Sequence, residues 1–286
     1  MHLPVMPEEA LSLLNVQSDG TYMDATAGLG GHTQLIAKLL TSGIVIANDR
    51  DPKSLEMARR NTEEFSGHIR YIQGPFAQLD EAMEAAGVSK LDGLLADLGV
   101  SRYQLTAPER GFSFMADGPL DMRMDPTTGI TAADLVNHSD EKTIADLIYH
   151  LGEERRARNV ARAIVRARPI RSTLHLADVV SRAVHRTGHL HPATKTFMAL
   201  RMAVNDEQGE LDRLLEIGPG LLKTGGRMVV ISFMSIDDRK VKEKFRELAK
   251  TGEATLLTKH PLQPGEEEVR RNPASRSAKL RGLEKN

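Results

Sequence analysis

Short apolar segments alternate with longer segments of helical periodicity in the first part of the chain. The apolar segments are residues 21–26, 44–47, 69–72 and 94–98. Each has the length of a buried strand, and the residues between them repeat with the spacing of a helix face. Strands separated by helices are typical of a mostly parallel sheet covered on both faces. The pattern therefore predicts an α/β fold.

The pattern changes after Gly99. Residues 108–126 are rich in glycine, proline and methionine, and residues 132–203 have helical periodicity without a strand. Strand character returns behind the turn Thr224-Gly225-Gly226, in residues 227–233, 254–257 and 278–283. We predict an all-helical inserted domain and a sheet domain in two parts. Their boundaries are 107–203 for the insert and 1–106 with 204–286 for the sheet.

The composition is that of a globular protein. With 286 residues, of which 40% are hydrophobic and 27% charged, the chain can bury a core and form one or two domains. No stretch approaches the ~18 consecutive apolar residues of a membrane span, and the first residues lack the pattern of a secretory signal. We therefore expect a cytoplasmic protein with no membrane partner.

Cysteine content and net charge narrow the chemistry. The chain contains no cysteine, which excludes disulfides, thiolate metal sites, iron–sulfur clusters and any sulfur nucleophile. The formal net charge is −1, so a nucleic-acid partner has to be argued from where the charges lie.

A glycine-rich loop follows the first predicted strand. It contains Gly28 and Gly30, and it separates Asp24 at the strand end from a helical segment, residues 34–40. Glycines leave the backbone open to a ligand, and the N–H groups at the start of the helix point towards it. Asp49 ends the next strand ~20 residues on, where a carboxylate can accept both hydroxyls of a ribose. The spacing indicates a nucleoside cofactor.

The loop also distinguishes between two cofactor classes. Thr33 occupies the position at which a dinucleotide fingerprint has glycine or alanine, which counts against a nicotinamide cofactor. The order Asp24, Gly28, Gly30 is similar to the methyltransferase version, whose acidic residue engages the amino-acid end of S-adenosylmethionine. A tight turn with helix-capping carboxylates is the alternative. Asp97 ends the fourth strand, and a sheet of this type binds its ligand in a crevice outside the carboxyl ends of its strands. We therefore expect Asp97 at the cofactor crevice; the alternative is that Asp97 caps a helix or forms an ion pair.

Arginine is concentrated in the predicted insert. Residues 155–171 contain seven arginines and no acid. Four of them are predicted to share one helix face, which we call the basic face: Arg155, Arg158, Arg162 and Arg166. We predict that it binds RNA, the alternative being a solvated surface paired with acids elsewhere. Arg182, Arg186 and Lys195 extend the positive bias.

Two other groups of residues in the insert have competing interpretations. His185, His189 and His191 resemble a metal cluster, but without cysteine or a clear carboxylate partner we predict no metal site and a polar surface near RNA. Phe112 and Phe114 either stack on a flipped base or attach their loop to the core.

Long strings of the sequence carry a family resemblance. They are residues 24–32, 49–52, 97–101, 109–114, 117–125, 152–155, 191–194 and 204–207. Together they resemble the bacterial small-subunit ribosomal RNA cytosine-N4 methyltransferases, the MraW or RsmH family. The resemblance covers nearly the whole chain. Departures from the family pattern include Met234 in place of a histidine, and Arg102 and Tyr103 in place of a Ser-Pro pair.

The resemblance implies a Rossmann-like S-adenosylmethionine-dependent methyltransferase sheet with an inserted all-helical domain. It implies methylation of the exocyclic N4 of a cytosine in the decoding centre, with 16S rRNA in the small ribosomal subunit as partner and S-adenosylmethionine as cofactor. It assigns cofactor contacts to Gly30, Gly31, His32, Asp49, Phe76, Asp97 and Gln104. We expect Asp97 to be catalytic as well, because it can accept a hydrogen bond from the amine; a backbone carbonyl of residues 98–100 is the alternative acceptor.

Three alternative functions fit parts of the same pattern. One is a methyltransferase acting on a protein side chain, against which the basic face argues. Another is a dinucleotide-dependent oxidoreductase, and a third is an RNA-binding module with a non-catalytic cofactor pocket. The sequence does not predict the oligomeric state.

Overall fold

The chain forms two compact units. The computed structural model describes residues 3–184 and 190–286. The sheet unit consists of Met1–Ser101 with Gln208–Asn286, and the helical unit is Arg102–Glu207. We predicted boundaries after residues 106 and 203, and the units divide after Ser101 and Glu207.

A seven-stranded sheet forms the centre of the sheet unit. Its strands are β1 (Thr21–Asp24), β2 (Ile44–Asp49), β3 (Ile69–Gln73), β4 (Leu91–Asp97), β5 (Leu222–Ser232), β6 (Ala254–Leu256) and β7 (Lys279–Lys285). The spatial order is β3-β2-β1-β4-β5-β7-β6. The first five strands in that order run parallel, and β7 is antiparallel to both of its neighbours. The strand order reverses next to β1, which is where ligands bind in sheets of this type.

Helices occupy the segments between strands and most of the helical unit. In the described residues they are α1 (Pro7–Leu14), α2 (Gly31–Ala37), α3 (Pro52–Asn61), α4 (Leu79–Ala85), α5 (Arg102–Thr106), α6 (Ala132–His138), α7 (Glu141–His150), α8 (Ala157–Arg166), α9 (Thr173–Ala183), α10 (Thr194–Val204), α11 (Glu207–Leu221), α12 (Ser235–Thr251) and α13 (Glu266–Arg271). None of them is both long and apolar enough to cross a membrane.

Both faces of the sheet are buried. The adjacent side chains Tyr22 and Met23 of β1 point to opposite faces and are 1% and 0% exposed. Met23 packs in a cluster with α4, α11 and α12, whereas Tyr22 packs in a cluster with α1, α2 and α3. Burial on both faces explains why the strands appear in the sequence as continuous apolar segments. The predicted Rossmann-like α/β fold is confirmed.

The predicted turn before the fifth strand is a bulge inside it. Leu91 pairs with Leu222 and Gly93 with Arg227, so the predicted start at residue 227 is wrong. The bulged segment contains Gly225 at φ +78°. A Cβ on Gly226 would lie 2.9 Å from the Leu91 carbonyl oxygen. The glycines that resembled a chain-reversing turn allow β5 to stay close to β4 across the bulge.

The helical unit has its own core. Buried residues of α6, α7, α8, α9 and α10 form one cluster, together with Leu120 and Met122. A capping box begins α6, because Thr131 accepts a hydrogen bond from the Asp134 N–H and the Asp134 side chain accepts one from the Thr131 N–H. The described residues of this unit contain no strand, in agreement with an all-helical insert.

Candidate functional site

Three aspartates lie where parallel strands end. Asp24, Asp49 and Asp97 are the last residues of β1, β2 and β4. Because these strands are parallel neighbours, their carboxyl ends meet at one edge of the sheet. The structure therefore brings together the acids that the sequence predicted to share a crevice.

Asp24 supports the glycine-rich loop from within. Its side chain is fully buried. One carboxylate oxygen accepts a hydrogen bond from the Thr33 hydroxyl at 2.7 Å, and the other accepts one from the Thr26 N–H at 3.2 Å. Burial raises the pKa of Asp24, opposed by His32 and these hydrogen bonds. Both oxygens thus hold the loop, and contact of Asp24 with a cofactor stays a prediction.

The two loop glycines are required for different reasons. Gly28 is favoured by its backbone conformation, because its φ is +53° while a Cβ there would meet no atom closer than 3.8 Å. Gly30 has φ +89°, and its Cβ would lie 2.8 Å from Thr62 Cγ2. We expected both glycines to make room for a ligand. At Gly30 the room is taken by the protein itself, because the end of α3 packs there.

Asp49 connects the second strand to the loop. Its Oδ2 accepts a hydrogen bond from the Gly28 N–H at 2.7 Å, and its Oδ1 accepts one from the Asp51 N–H at 2.8 Å. Burial raises the pKa of Asp49 to about 7, and repulsion from the charges of Asp51 and Asp24 also raises this pKa. A carboxylate oxygen accepts more than one hydrogen bond, so Asp49 still has the capacity to bind ribose hydroxyls.

One carboxylate oxygen of Asp97 has no partner among the described residues. Its Oδ2 lies 3.8 Å from Nδ1 of the buried His32 ring. Its Oδ1 is buried and makes no hydrogen bond to the part of the chain that the structure describes. Burial raises the pKa of Asp97 to about 7, His32 opposes this effect, and the charges of Asp24 and Glu268 add to it.

These groups fit a cationic nucleoside cofactor. A buried acceptor without a partner is a group that a ligand can satisfy. Clustered carboxylates with raised pKa values favour a positive ligand, because it lowers the cost of ionising them. The ribose hydroxyls and the positive sulfonium centre of S-adenosylmethionine match these two requirements.

A comparison with known proteins identifies the family. The model of the MraW methylase family matches residues 1–286. The chain belongs to the MraW methylase family. The predicted resemblance is confirmed.

Several known proteins share most of their length with the chain. The ribosomal RNA small subunit methyltransferase H of Solibacter usitatus is 74% identical over 284 residues, covering 99% of both chains. The protein of the same name from Acidobacterium capsulatum is 50% identical, covering 99% of this chain and 98% of its own. A solved rRNA methylase from Streptococcus thermophilus covers 98% of this chain and 93% of its own, at 13% identity and a TM-score of 0.42.

The remaining predicted cofactor contacts of this MraW methylase lie on several elements. Phe76 follows β3, its N–H donates to Glu210 Oε2 at 2.7 Å, and its partly buried ring packs against the core. A Cβ on Gly31 would lie 3.2 Å from Pro4 Cβ. Gln104 is buried within α5 of the helical unit. Their roles in cofactor binding stay predictions.

The basic face is smaller than the sequence predicted. Arg158, Arg162 and Arg166 are exposed on α8. Arg155 is exposed in the turn before α8, so its predicted place on the helix is wrong. Arg162 Nε lies 3.5 Å from Glu141 Oε1. Part of the basic face therefore has an acidic partner, as expected if the face is a solvated surface.

Arg168 has a structural role instead. Its Nε donates to the Val136 carbonyl at 2.8 Å, and its guanidinium also contacts the Ser139 carbonyl. It therefore satisfies carbonyls at the end of α6, where an arginine is favourable.

Phe114 attaches its loop to the core of the helical unit. Its ring centroid lies 4.6 Å from that of His191 and 4.9 Å from that of Phe197. Phe112 is 5% exposed. Phe114 therefore attaches the loop to the core, as one of the two interpretations predicted, and Phe112 is buried.

Part of the predicted histidine and arginine set cannot be placed. His185, Arg186 and His189 lie outside the described residues. Within the described ranges, no group of three or more His, Asp or Glu side chains is arranged to hold a metal ion.

Sequence reasoning missed residues that complete the site. Asn48 is 1% exposed and donates to the Gly74 carbonyl at 3.0 Å, which connects the ends of β2 and β3. The carbonyl oxygen of Val5 contacts His32 Nε2, and the N–H of Met6, the next residue, donates to Glu268. Asn48 could have been found from its place beside Asp49 at a strand end. No local pattern points to the other three.

Proposed function

We propose that this protein transfers a methyl group from S-adenosylmethionine to the exocyclic N4 of a cytosine in the decoding centre of 16S rRNA, in the cytoplasm. The observation that carries the proposal is the buried Asp97 Oδ1, which has no partner among the described residues and lies at the strand end beside the cofactor loop. The family and the name of the relatives support a small-subunit rRNA substrate. The position N4 and the decoding centre rest on the resemblance.

The amine of cytosine needs help from the enzyme. Its lone pair is delocalised into the ring, so it attacks only when aligned with the methyl–sulfur bond. S-Adenosylmethionine supplies an activated methyl group. The nitrogen lone pair forms the new N–C bond while the C–S bond breaks, its electron pair stays on sulfur, and one N4 proton has to leave.

Asp97 is suited to receive that proton. Its Oδ1 accepts no hydrogen bond from the part of the chain that the structure describes, and burial raises its pKa to about 7. A general base is most effective when its pKa lies close to the working pH, and burial moves the pKa of Asp97 from its ordinary value in that direction. The sequence contains no cysteine, which excludes methylation of carbon 5 by a route that needs covalent attack of a cysteine on the pyrimidine ring.

Binding of the RNA is assigned to the helical unit. Arg158 and Arg166 are exposed on α8 and form no ion pair within the described ranges. Arginine binds phosphate oxygens through bidentate hydrogen bonds. The basic face therefore supplies phosphate contacts, which position an RNA without reading its sequence.

The experiment is mass mapping of methylated nucleosides after incubation of unmodified small subunits with enzyme and cofactor. We expect N4-methylcytosine, and we expect Asp97→Ala to lower the single-turnover rate at saturating S-adenosylmethionine by roughly 10²-fold or more. Asp92→Ala is the matched control, because Asp92 lies in β4 and accepts the Thr21 N–H away from the site. A methyl group on carbon 5 or on a ribose oxygen, or an unchanged rate for Asp97→Ala, would refute the proposal.

A further inference from the structure

The segment before α1 lies on the cofactor loop. Pro4 approaches Gly31 so closely that a Cβ on the glycine would lie 3.2 Å from Pro4 Cβ. The carbonyl oxygen of Val5 lies 2.9 Å from His32 Nε2. The ring that faces Asp97 is therefore held by main chain from a distant part of the sequence.

The Val5 carbonyl requires that Nε2 of His32 carries a hydrogen. A carbonyl oxygen only accepts hydrogen bonds, so Nε2 must be the donor in this contact. Nδ1 is then the atom that faces Asp97 Oδ2, at 3.8 Å. Moving the carbonyl would free the ring to rotate or to change its tautomer, and it would alter the surroundings of Asp97.

The position of the Val5 carbonyl depends on an unusual conformation of the next residue. Met6 has φ +48° and ψ +49°, in the left-handed region that is unfavourable for a residue with a side chain. Burial of its side chain and one hydrogen bond hold Met6 in this conformation. Its side chain is 0% exposed, and its N–H donates to Glu268 Oε1 at 2.7 Å.

Glu268 belongs to an acidic run whose members differ in their surroundings. Glu267 pairs with Arg271 on the surface of α13 and is 68% exposed. Glu268 instead reaches Met6, which lies 262 positions away in the sequence. Its charge is also close enough to contribute to the raised pKa of Asp97, behind the larger effects of burial and of Asp24.

We propose that Glu268 is a positioning residue of the active site. By accepting the Met6 N–H it holds the Val5 carbonyl in place, and that carbonyl orients the His32 ring against Asp97. This inference rests on the proposed function for its kinetic consequence, but the geometry of the ring can be measured without any RNA.

The test compares substitutions within the acidic run. Glu268→Gln keeps a side-chain oxygen that can accept the Met6 N–H, whereas Glu268→Ala removes it. Glu268→Asp shortens the side chain by one methylene, and it replaces Glu268→Ala as the test variant if the alanine variant does not fold. Glu267→Ala is the matched control, because it removes a carboxylate of the same helix that pairs only on the surface.

The first readout is the ¹⁵N spectrum of the His32 ring, assigned with His32→Gln. We expect the Nε2–H form in the parent, Glu268→Gln and Glu267→Ala, and a mixture of tautomers in Glu268→Ala or Glu268→Asp. The second readout is the single-turnover rate at saturating S-adenosylmethionine. We expect it to fall roughly tenfold in Glu268→Ala, the scale of leaving one backbone N–H without its acceptor. Glu268→Gln, whose amide oxygen still accepts this N–H, should stay within about twofold of the parent.

An unchanged ring tautomer in Glu268→Ala and Glu268→Asp would overturn the proposal, as would a rate loss in Glu268→Gln equal to that in Glu268→Ala. Failure of the proposed function gives a different result. In that case the parent does not methylate the RNA, while the tautomer shift in the Glu268 variants is still observed.

Discussion

Asp24, Asp49 and Asp97 concentrate negative charge at one edge of the sheet. Each ionised carboxylate loses hydration on burial and repels the others, and the pKa of both Asp49 and Asp97 rises to about 7. Such a cluster costs stability at neutral pH unless a positive group binds beside it. The sulfonium centre of S-adenosylmethionine is a group of that kind, so relief of this repulsion contributes to affinity for the cofactor.

The affinity for S-adenosylmethionine should therefore depend on pH. Below a pKa of about 7 Asp49 and Asp97 are largely protonated, and a bound cation lowers their pKa values, so binding releases protons. We expect tighter binding as the pH rises from about 6 to about 7.5. Calorimetry in buffers with different protonation enthalpies measures the proton release. S-Adenosylhomocysteine, which lacks the sulfonium charge, is the control and should release fewer protons; equal release by both ligands would contradict this explanation.

Asp49→Ala tests the ribose assignment. The loss of charge-assisted hydrogen bonds should weaken S-adenosylmethionine binding by roughly 1.5–3 kcal/mol, about 10- to 150-fold in Kd, while the protein stays folded. Part of the loss will come from the loop, because Asp49 also accepts the Gly28 N–H. Titration calorimetry measures the change, with Asp92→Ala as control. An unchanged affinity would show that Asp49 does not bind the ribose.

At the scale of elements, a buried ion pair connects α12 to β7, beside a second contact from Lys279 to the same aspartate. Arg281 Nε lies 2.7 Å from Asp238 Oδ1, and the two side chains are 8% and 12% exposed. Burial pushes the pKa of Asp238 upwards, but the hydrogen bond and charge of Arg281, assisted by Lys279, lower it overall. The pair holds a helix of one sheet face against the antiparallel strand beside β5.

Removing one partner of this pair should be costly. Asp238→Ala leaves the Arg281 charge buried and unpaired, so we expect the free energy of unfolding to fall by about 3–5 kcal/mol. Glu247→Ala in the same helix breaks an exposed pair with Lys244 and should change it by less than about 1 kcal/mol. Urea unfolding followed by circular dichroism gives both values. Similar losses in the two variants would mean that the buried pair has no special role.

For the whole molecule, the two units carry different chemistry. The sheet unit contains the acidic cluster, and the helical unit contains the exposed arginines of α8. The net charge of −1 conceals this separation. A cationic cofactor and a polyanionic substrate can thus be bound by one chain whose overall charge favours neither.

Charge reversal in the helical unit should affect RNA binding alone. Replacing Arg158 and Arg162 by glutamate should lower RNA affinity and reduce the slope of log Kd against log salt by ~0.7 for each phosphate that the protein no longer neutralises, with the affinity for S-adenosylmethionine unchanged. Arg213→Glu is the control, because Arg213 is a 63% exposed arginine of α11. Filter binding at several salt concentrations measures the slope. If it stays the same, these arginines are only a solvated surface.

The sequence by itself determined the α/β sheet, the all-helical insert and the meeting of three acids at one edge. Apolar periodicity reports burial within a single element, and the rule that parallel strands end at one edge places Asp49 and Asp97 together without coordinates. Apolar periodicity is local to one element, and the rule on strand ends depends only on topology. Together they are sufficient to predict the architecture and the aspartates of the site.

Only the tertiary structure decided the surroundings of those acids. The contact of Glu268 with Met6 and that of Val5 with His32 join residues far apart in the sequence, and the need for glycine at position 30 comes from packing against α3. The start of α8 at Ala157 excluded Arg155 from the basic face, and Glu141 on α7 gave Arg162 a partner. Periodicity carries no information on which side chains of different elements touch, because those contacts depend on how the elements pack.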